Sequence, residues 1–355
     1  MKKDLDTIFY YFINDEKIIS IDEYGNGHIN DTYLVVTEHN KYILQSVNSE
    51  VFDTPNLVSN YAQLISYTGQ KRIEGKFFPI FVPDKSGNYH LTDSLNKVWR
   101  VCAFIDDSIT YSISPSIEVS KMAGTTMGRF QAMLNKMKPE SFKDTIVDFH
   151  NPERRLVEFY DVLKNSNNAF KIEAEKEIEF ALNNIDIANT VSQLLLSGNL
   201  PVRITHNDPK LENIIFSKDT QKGYTIDLDT VMQGAIMFDF GDMVRSTTSM
   251  AVEDEKDLTL VNFNIDHFTA LCEGYFNEIK GNLTSLEKEN ILPGILSIVY
   301  IQGIRFLTDF LQESKYYKIS YADHNLVRTR TQFKLLRDIL DNESKVKEII
   351  NSTIG

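Results

Sequence analysis

T-H-N-D-P-K-L-E-N-I-I-F-S-K-D-T-Q-K-G-Y-T-I-D-L-D, residues 205–229, is the stretch that decides the fold prediction for this 355-residue chain. It opens with a polar loop of the pattern H-x-D-x-K-x-x-N. The four defined positions are His206, Asp208, Lys210 and Asn213. Two short apolar runs rich in Ile and aromatic residues follow, 214–216 and 224–228, and the polar turn between them predicts a β-hairpin.

The spacing of this hairpin predicts a metal site. Its middle falls at residue 220, so a symmetric hairpin would place Asn213 opposite Asp227. Cross-strand neighbours have Cβ atoms about 5 Å apart, and their oxygens can then share one hard cation. Asp208 stands five residues before Asn213 as a candidate base. A base and two magnesium ligands are what phosphoryl transfer from a nucleotide requires.

Simpler interpretations exist for each part of this stretch. An Asp-rich hairpin is more often a solvated surface turn, and H-x-D with a later Asn arises by chance in long chains. The loop, the Lys at its offset, the hairpin and the Asp at the strand end occur together here. Their combination favours a kinase over a surface turn.

Composition limits the partners. The net charge of −13 argues against nucleic acid or an anionic membrane surface as the main partner. Two distant cysteines, Cys102 and Cys272, suit a reducing cytosol, and the N-terminus lacks the apolar region of a signal peptide. The sequence predicts no membrane span, because no run approaches the ~20 apolar residues that one needs. We therefore expect a cytoplasmic protein with no membrane or obligatory protein partner.

The chain changes character near residue 105. Strands are predicted at 17–24, 32–37, 41–47, 77–82 and 97–105, with one helix at 55–67. Beyond residue 106 the pattern is helical, apart from the hairpin. The predicted helices cover 117–137, 151–163, 173–196, 257–281, 286–310 and 329–351. The prediction is an α+β, bilobal fold with a β-rich N-terminal lobe, residues 1–104, and a mostly helical C-terminal lobe, residues 105–355.

A glycine turn follows the first predicted strand. Gly25 and Gly27 could expose backbone N–H groups to nucleotide phosphates, because glycine allows close approach. Two glycines are also what an ordinary hairpin turn contains.

Several segments together resemble a known family, the aminoglycoside phosphotransferase and choline kinase superfamily, whose fold is like that of protein kinases. The similarity covers nearly the whole chain and is greatest to bacterial N-acetylhexosamine 1-kinases. The segments that carry it are Y-G-N-G-H-I-N-D-T-Y (24–33), Y-I-L-Q-S-V-N (42–48), H-N-D-P-K-L-E-N (206–213), I-D-L-D-T-V-M-Q-G (226–234), D-F-G-D (239–242), R-F-L-T-D-F-L (305–311) and D-H-N-L-V-R-T-R-T-Q (323–332).

The resemblance implies a role for each residue of the predicted catalytic segment. Asp208 is the base, Lys210 lies near the transferred phosphate, and His206 braces the loop. Asn213 and Asp227 hold magnesium, and Asp229 is a second metal ligand or a substrate contact. Asp239 begins the sequence D-F-G, which is also the metal-binding motif of protein kinases, but it lies too far from Asn213 to be its hairpin partner. The resemblance makes Asp239 a brace for the catalytic loop.

One position departs from kinases in general. Their third strand offers a Lys or Arg to the phosphates, whereas this strand reads Y-I-L-Q and has Gln45 there. Either Lys41 or another cation takes that place, or backbone and metal hold the phosphates. The same Y-I-L-Q pattern is found in the sugar-kinase branch of the family.

The C-terminal region suits a neutral sugar better than a polycation. Candidate substrate residues there are Arg305, Asp309 and Tyr317, and those near the glycine turn are His28, Asn30 and Asp31. The predicted reaction transfers the γ-phosphate of ATP, or of another nucleoside triphosphate, to the anomeric hydroxyl of N-acetylglucosamine or N-acetylgalactosamine with Mg²⁺. The alternatives are a kinase of another sugar, choline or an amino alcohol, and a catalytically silent nucleotide-binding protein.

Overall fold

The computed structural model describes residues 2–25, 29–218 and 222–355. It divides into two compact units. The first comprises residues 1–109, 140–147 and 215–232, and the second comprises 110–139, 148–214 and 233–355. The predicted boundary followed residue 104, so the division lies slightly later, and the first unit also takes in two later segments. The predicted fold class is confirmed, since the first unit is β-rich and the second is mostly helical.

An antiparallel five-stranded sheet forms the body of the first unit. Its strands are β1 (Ile18–Glu23), β2 (Asp31–Thr37), β3 (Lys41–Val47), β4 (Leu91–Thr92) and β5 (Val98–Ala103), in the order β1-β2-β3-β5-β4. The register pairs Gln45 of β3 with Arg100 of β5. The predicted strand at 77–82 is wrong: only Phe81 makes an isolated bridge, to Cys102. Pro79 and Pro83 lack the N–H that a continuous ladder needs.

Two helices accompany this sheet. The sequence did not predict α1 (Lys2–Phe12), which packs Phe9 and Phe12 into a core with Val35 and Leu44. The predicted helix α2 covers Thr54–Lys71. It begins where the side chain of Asp53 accepts the backbone N–H of Asn56, with a proline in the first turn.

The predicted hairpin is present. Its strands are β8 (Ile214–Ser217) and β9 (Gly223–Thr225), and β8 also pairs with β6 (Ser108–Ile109). Residues 219–221 of its turn lie outside the described residues. Because β9 ends at Thr225, Asp227 stands beyond the strand, in a left-handed conformation before a 3₁₀ turn at Leu228–Thr230. The short strand β10 (Met232–Gly234) follows.

The second unit is built from helices and the short strand β7 (Arg203–Thr205). The helices are α3 (Ile117–Leu134), α4 (Pro152–Asn165), α5 (Asn168–Glu173), α6 (Glu175–Asn183), α7 (Asp186–Leu196), α8 (Ile236–Thr247), α9 (Ile265–Ile279), α10 (Ser285–Glu289), α11 (Ile291–Leu311), α12 (His324–Asp341) and α13 (Glu343–Ile354). Three predicted single helices, 173–196, 286–310 and 329–351, are each divided by a short break.

Two packing features define the core of this unit. Helices α3 and α9 approach so closely that a Cβ on Gly124 or Gly274 would overlap the backbone of the other helix. Helix α11 is long and apolar enough to cross a membrane, contrary to the expectation from sequence. However, 78% of its apolar window is buried within the structure, where it packs against α8 and α12. That burial is typical of a core helix.

Candidate active site

The catalytic loop begins where β7 ends, and helix α8 holds it. The carboxylate of Asp239, in the first turn of α8, accepts the backbone N–H of His206 at 2.7 Å and that of Asn207 at 2.8 Å. Asn207 has a φ of 64°, a left-handed conformation that is costly for a residue with a Cβ. The ring of His206 is buried against Phe130. These contacts fix the peptide that leads into Asp208.

Close packing also constrains the loop from β10. Gly234 lies so near the loop that an added Cβ would stand 2.5 Å from Oδ1 of Asn207 and would overlap Oγ1 of Thr205. Asn207 donates in turn to the carbonyl oxygen of Thr205. A glycine at position 234 is therefore part of what shapes the loop.

Asn213 orients the carboxylate of Asp208. Its Nδ2 donates to Oδ2 of Asp208 at 2.9 Å and to the Asp208 carbonyl oxygen at 2.8 Å. Both amide hydrogens are thereby used, which leaves Oδ1 of Asn213 as an acceptor. Nζ of Lys210 lies 3.8 Å from Oδ2 of Asp208. The structure thus brings three of the predicted residues together in the second unit.

Burial and charge set the protonation of this cluster. Partial burial raises the pKa of Asp208 above its ordinary value, while Lys210 acts in the opposite direction. Burial would also raise the pKa of Asp242, but Arg245, whose Nε lies 2.7 Å from Oδ1 of Asp242, lowers it overall. Asp242 is thus an ionised neighbour that further raises the pKa of Asp208.

His150 is a member of this cluster that sequence reasoning missed. Its Nε2 lies 2.5 Å from the carbonyl oxygen of Asn207. Burial, with Arg305 nearby, lowers the pKa of His150 to about 4, so the ring is neutral and Nε2 carries the hydrogen. Nδ1 of His150 and Oδ2 of Asp242 are buried acceptors without a hydrogen-bond partner in the described part of the chain. No motif pointed to His150, because its partner lies 57 residues away in sequence.

Arg305 lies between two aromatic rings in the second unit. Its guanidinium carbon is 5.1 Å from the centre of the Phe149 ring and 5.7 Å from that of Tyr317. Nη1 donates to Oε1 of Gln302 at 3.0 Å. No carboxylate among the described residues lies within ion-pair distance of Arg305, although the charge of Asp208 helps to raise its pKa. The structure therefore brings together two of the residues predicted to contact substrate, Arg305 and Tyr317.

Asp309, predicted as a substrate contact, has a structural role instead. It is 3% exposed. Its carboxylate accepts the backbone N–H of Tyr316 at 2.8 Å, that of Tyr317 at 3.0 Å, and Nδ2 of Asn325 at 2.8 Å. With both oxygens engaged and buried, Asp309 shapes the loop that carries Tyr317.

In the first unit, the cation beside Gln45 is Arg100. Nε and Nη2 of Arg100 both donate to Oε1 of Gln45, at 3.1 and 2.9 Å. Lys41, the predicted substitute, is exposed and forms an ion pair with Asp106 at 2.6 Å. The prediction for Lys41 is therefore corrected. An Arg within the apolar strand V-W-R-V-C-A was the signal that could have identified Arg100.

Asp229, predicted as a metal ligand or substrate contact, is fully buried and committed to protein partners. Its Oδ1 accepts from Nη1 of Arg100 and from the hydroxyl of Tyr61, each at 2.5 Å. Its Oδ2 accepts from Nδ2 of Asn30 at 2.6 Å. Burial would raise the pKa of Asp229, but Arg100 lowers it and keeps the carboxylate charged. Because the residue is fully buried and both oxygens are hydrogen-bonded to protein groups, the prediction for Asp229 is corrected.

The structure describes three of the residues predicted around the glycine turn, Gly25, Asn30 and Asp31. Gly25 has a φ of 80°, and an added Cβ there would meet no other atom within 4 Å. Asn30 is held by Asp229 and by the backbone N–H of Asn48, so it is not the predicted substrate contact. Asp31 is exposed and lies 3.8 Å from Nζ of Lys97. Gly27 and His28 lie outside the described residues.

Solved structures of several kinases share this fold. A microcompartment-associated aminopropanol kinase is 14% identical, with a TM-score of 0.68 and coverage of 98% of this chain and 99% of that one. An aminoglycoside phosphotransferase from Alicyclobacillus acidocaldarius is 11% identical, with a TM-score of 0.60 and coverage of 98% and 94%. An amicoumacin kinase in complex with AMP-PNP, Ca²⁺ and its ligand is 12% identical, with a TM-score of 0.59 and coverage of 94% and 92%.

A family model gives the assignment. The model described as the phosphotransferase enzyme family matches residues 20–270, which include the glycine turn, the catalytic loop and the hairpin. The Asp208 loop that Asp239 holds lies within the matched residues. The chain therefore belongs to the phosphotransferase enzyme family and is a small-molecule kinase.

Proposed function

We propose that this protein transfers the γ-phosphoryl group of ATP to the anomeric hydroxyl of N-acetylglucosamine or N-acetylgalactosamine, with Mg²⁺, and so forms the sugar 1-phosphate. The observation that carries the proposal is the carboxylate of Asp208, oriented by Asn213 in a loop that Asp239 holds. An ATP-dependent sugar kinase of this composition would work in the cytoplasm.

Asp208 has the properties of a general base. Its side chain is 29% exposed, so an acceptor hydroxyl can reach it. Its raised pKa makes the carboxylate of Asp208 a better proton acceptor than that of an ordinary aspartate. Because Asn213 fixes one carboxylate oxygen, Asp208 can orient the acceptor hydroxyl and take its proton. The new O–P bond then forms as the bond from the γ-phosphorus to the β–γ bridging oxygen breaks and ADP leaves. His206 contributes indirectly, through its backbone N–H to Asp239.

Lys210 supplies positive charge beside this base. In the proposed reaction it offsets the charge that develops on the transferred phosphoryl group. Its 3.8 Å separation from Asp208 allows the ammonium to serve both groups.

The residues that would hold Mg²⁺ are Asn213 and Asp227. Both amide hydrogens of Asn213 donate to Asp208, so its Oδ1 is available as a neutral oxygen ligand. No cluster of three or more His, Cys, Asp or Glu residues among those described forms a protein-only metal cage. Mg²⁺ does not need one, because it usually keeps several waters and binds through one or two carboxylates and substrate phosphates. When bound, it would neutralise charge on the phosphates.

The surroundings of Arg305 favour a neutral acceptor. A choline or amino alcohol kinase needs aromatic faces free to receive a cation. Here the faces of Phe149 and Tyr317 already contact the guanidinium of Arg305. A second cation would meet both the occupied rings and a like charge. Sugar hydroxyl and acetamido oxygens, by contrast, can accept the remaining hydrogens of Arg305.

An acceptor panel tests this proposal. The purified protein would be assayed for ADP release with Mg²⁺, ATP and N-acetylglucosamine, N-acetylgalactosamine, their parent hexoses, choline or aminopropanol as acceptor. We expect turnover with the N-acetylhexosamines and a product whose phosphorus NMR coupling identifies phosphorylation at the anomeric carbon. Turnover with choline or aminopropanol alone would contradict the sugar assignment. Nucleotide binding without turnover on any acceptor would favour a silent nucleotide-binding protein.

A further inference from the structure

A buried ion pair joins two parts of the first unit that are far apart in sequence. Arg100 on β5 is 6% exposed, Asp229 in the 3₁₀ turn at Leu228–Thr230 is fully buried, and Nη1 and Oδ1 are 2.5 Å apart. A buried ion pair is seldom more stable than an apolar pair of the same volume, because both charges lose their hydration. Stability therefore does not account for this ion pair, and the elements that it holds together are the feature to consider.

Asp229 connects three separate elements through its carboxylate. Besides Arg100, it binds the hydroxyl of Tyr61 on α2 and Nδ2 of Asn30, which follows the glycine turn. Its carbonyl oxygen accepts Oγ1 of Thr145 at 2.7 Å. Every contact directs Asp229 into the protein, so the segment that carries it is held from several sides.

Arg100 is equally constrained on its other side. Two of its nitrogens donate to Oε1 of Gln45, and Nε2 of Gln45 donates to Oγ1 of Thr32 at 3.0 Å. Its guanidinium also lies over the ring of Tyr61, 4.8 Å from the ring centre. The planar fork of Arg suits several simultaneous bonds of this kind, whereas Lys presents a single point charge. Arg100 thus ties Asp229 to strands β2 and β3.

Asp227 lies two residues before Asp229 and has a strained backbone. Its φ and ψ of 57° and 58° are left-handed, which is unfavourable for a residue with a Cβ. Such conformations persist where the surrounding structure over-determines them, and they cluster at functional sites. The contacts of Asp229, two residues away, can impose this left-handed conformation on Asp227.

We propose that Arg100 and Asp229 form a positioning pair that sets the backbone of Asp227 for divalent metal binding. This inference rests on the proposed function, in which Asp227 is a ligand. It makes Asp229 a positioning residue that does not touch the metal. In this inference Arg100, the cation beside Gln45, acts through the carboxylate of Asp229 and does not bind a phosphate directly.

Metal binding by folded variants tests the pair. In Arg100→Met/Asp229→Asn both charges are removed together, so neither remains buried and unpaired. The control is Arg330→Met/Glu177→Gln, which removes an ion pair of 3.0 Å between α12 and α6. Mn²⁺ would be titrated into each protein saturated with AMP-PNP and followed by electron paramagnetic resonance, with thermal melting as the measure of folding.

We expect both double variants to melt within a few degrees of wild type. The Arg100/Asp229 variant should bind Mn²⁺ about tenfold or more weakly and need more Mg²⁺ for half-maximal turnover, while the control matches wild type. Arg100→Lys should recover only part of the loss, since it keeps the charge but not the fork. Unchanged Mn²⁺ affinity in the folded Arg100/Asp229 variant overturns the positioning role alone. Absence of Mn²⁺ binding by wild type with AMP-PNP overturns the proposed function as well.

Discussion

In the proposed reaction, Arg305 would set the charge that the acceptor meets. Because Arg305 has no carboxylate partner within ion-pair distance among the described residues, its hydrogens other than the one donated to Gln302 remain for a ligand. We expect Arg305→Gln to raise the KM for the acceptor by roughly 10–100-fold, since hydrogen bonds to charged groups contribute about 1.5–3 kcal/mol. The KM for ATP should change less than about twofold. Initial rates at varied acceptor and ATP concentrations measure both.

Arg337→Gln is the matched control for Arg305. Arg337 also lies over an aromatic ring, that of Phe180 at 4.3 Å, but on α12 and apart from the Asp208 cluster. Its loss should leave both KM values unchanged. An unchanged acceptor KM in Arg305→Gln would remove Arg305 from the acceptor site.

His150 should make stability depend on pH. Its pKa is lowered from 6.5 to about 4 by burial and by Arg305. Between these two values the unfolded chain binds a proton that the folded protein does not bind, so stability falls as pH falls through this window. Above pH 6.5 the contribution is fully present. We therefore expect the Tm of wild type to fall between pH 6.5 and 4.5.

The variant His150→Gln isolates this effect, because its amide can still donate to the carbonyl oxygen of Asn207 but does not titrate. Its Tm should fall less steeply over the same pH range. Parallel melting curves for the two proteins would show that His150 is protonated equally in the folded and unfolded states.

Some residues of the site could be predicted from the sequence and others could not. Asp208 and Asn213 were identifiable because their contact spans five residues within one motif. The partners of Gln45 and Asn207 were not, because Arg100 and His150 are distant in sequence and meet them only through strand register or loop packing. Asp229 was misassigned for the same reason, since its burial depends on a strand that precedes it by more than a hundred residues.

At the scale of elements, β10 controls the shape of the catalytic loop. A methyl group at Gly234 would overlap Thr205 and Asn207. We expect Gly234→Ala to lower kcat at least tenfold and to destabilise the fold by about 1–3 kcal/mol, as overpacking typically does. Steady-state kinetics and urea unfolding measure the two effects.

Gly281→Ala is the control, because a Cβ there would meet no atom within 4 Å and the backbone has no positive φ. It should match wild type in both measurements. Full activity in Gly234→Ala would mean that the loop can shift without losing the geometry of Asp208.

Element boundaries were predictable where local signals were strong. Strands β2 and β3 were predicted within one residue, because Gly, Asn and Glu-His-Asn turns bound short β-branched runs. The helices within 173–196, 286–310 and 329–351 were merged in the prediction, because breaks such as Asn290 and Asn342 contain no Pro or Gly to mark them. Helix α1 was missed because its stability depends on packing Phe9 and Phe12 against the sheet.

For the whole molecule, the proposed function predicts ligand-linked stability. A ligand that binds only the native state at a hundred times its Kd stabilises it by about 2.7 kcal/mol. We therefore expect Mg²⁺ and AMP-PNP together to raise the Tm by several degrees. EDTA should remove most of this rise, because the phosphates would lose their counter-charge. Thermal melting with each component alone and together measures the effect, and a shift insensitive to EDTA would argue against metal-assisted nucleotide binding.

Replacement of the base tests the central claim most directly. Asp208→Asn keeps the size of the side chain and an oxygen for Nδ2 of Asn213, but it cannot take a proton. With the N-acetylhexosamine acceptor, we predict that kcat falls by about 10²–10⁴ or more, while the Kd for AMP-PNP stays within about twofold of wild type. Phosphoryl transfer at the wild-type rate in this variant would contradict the account.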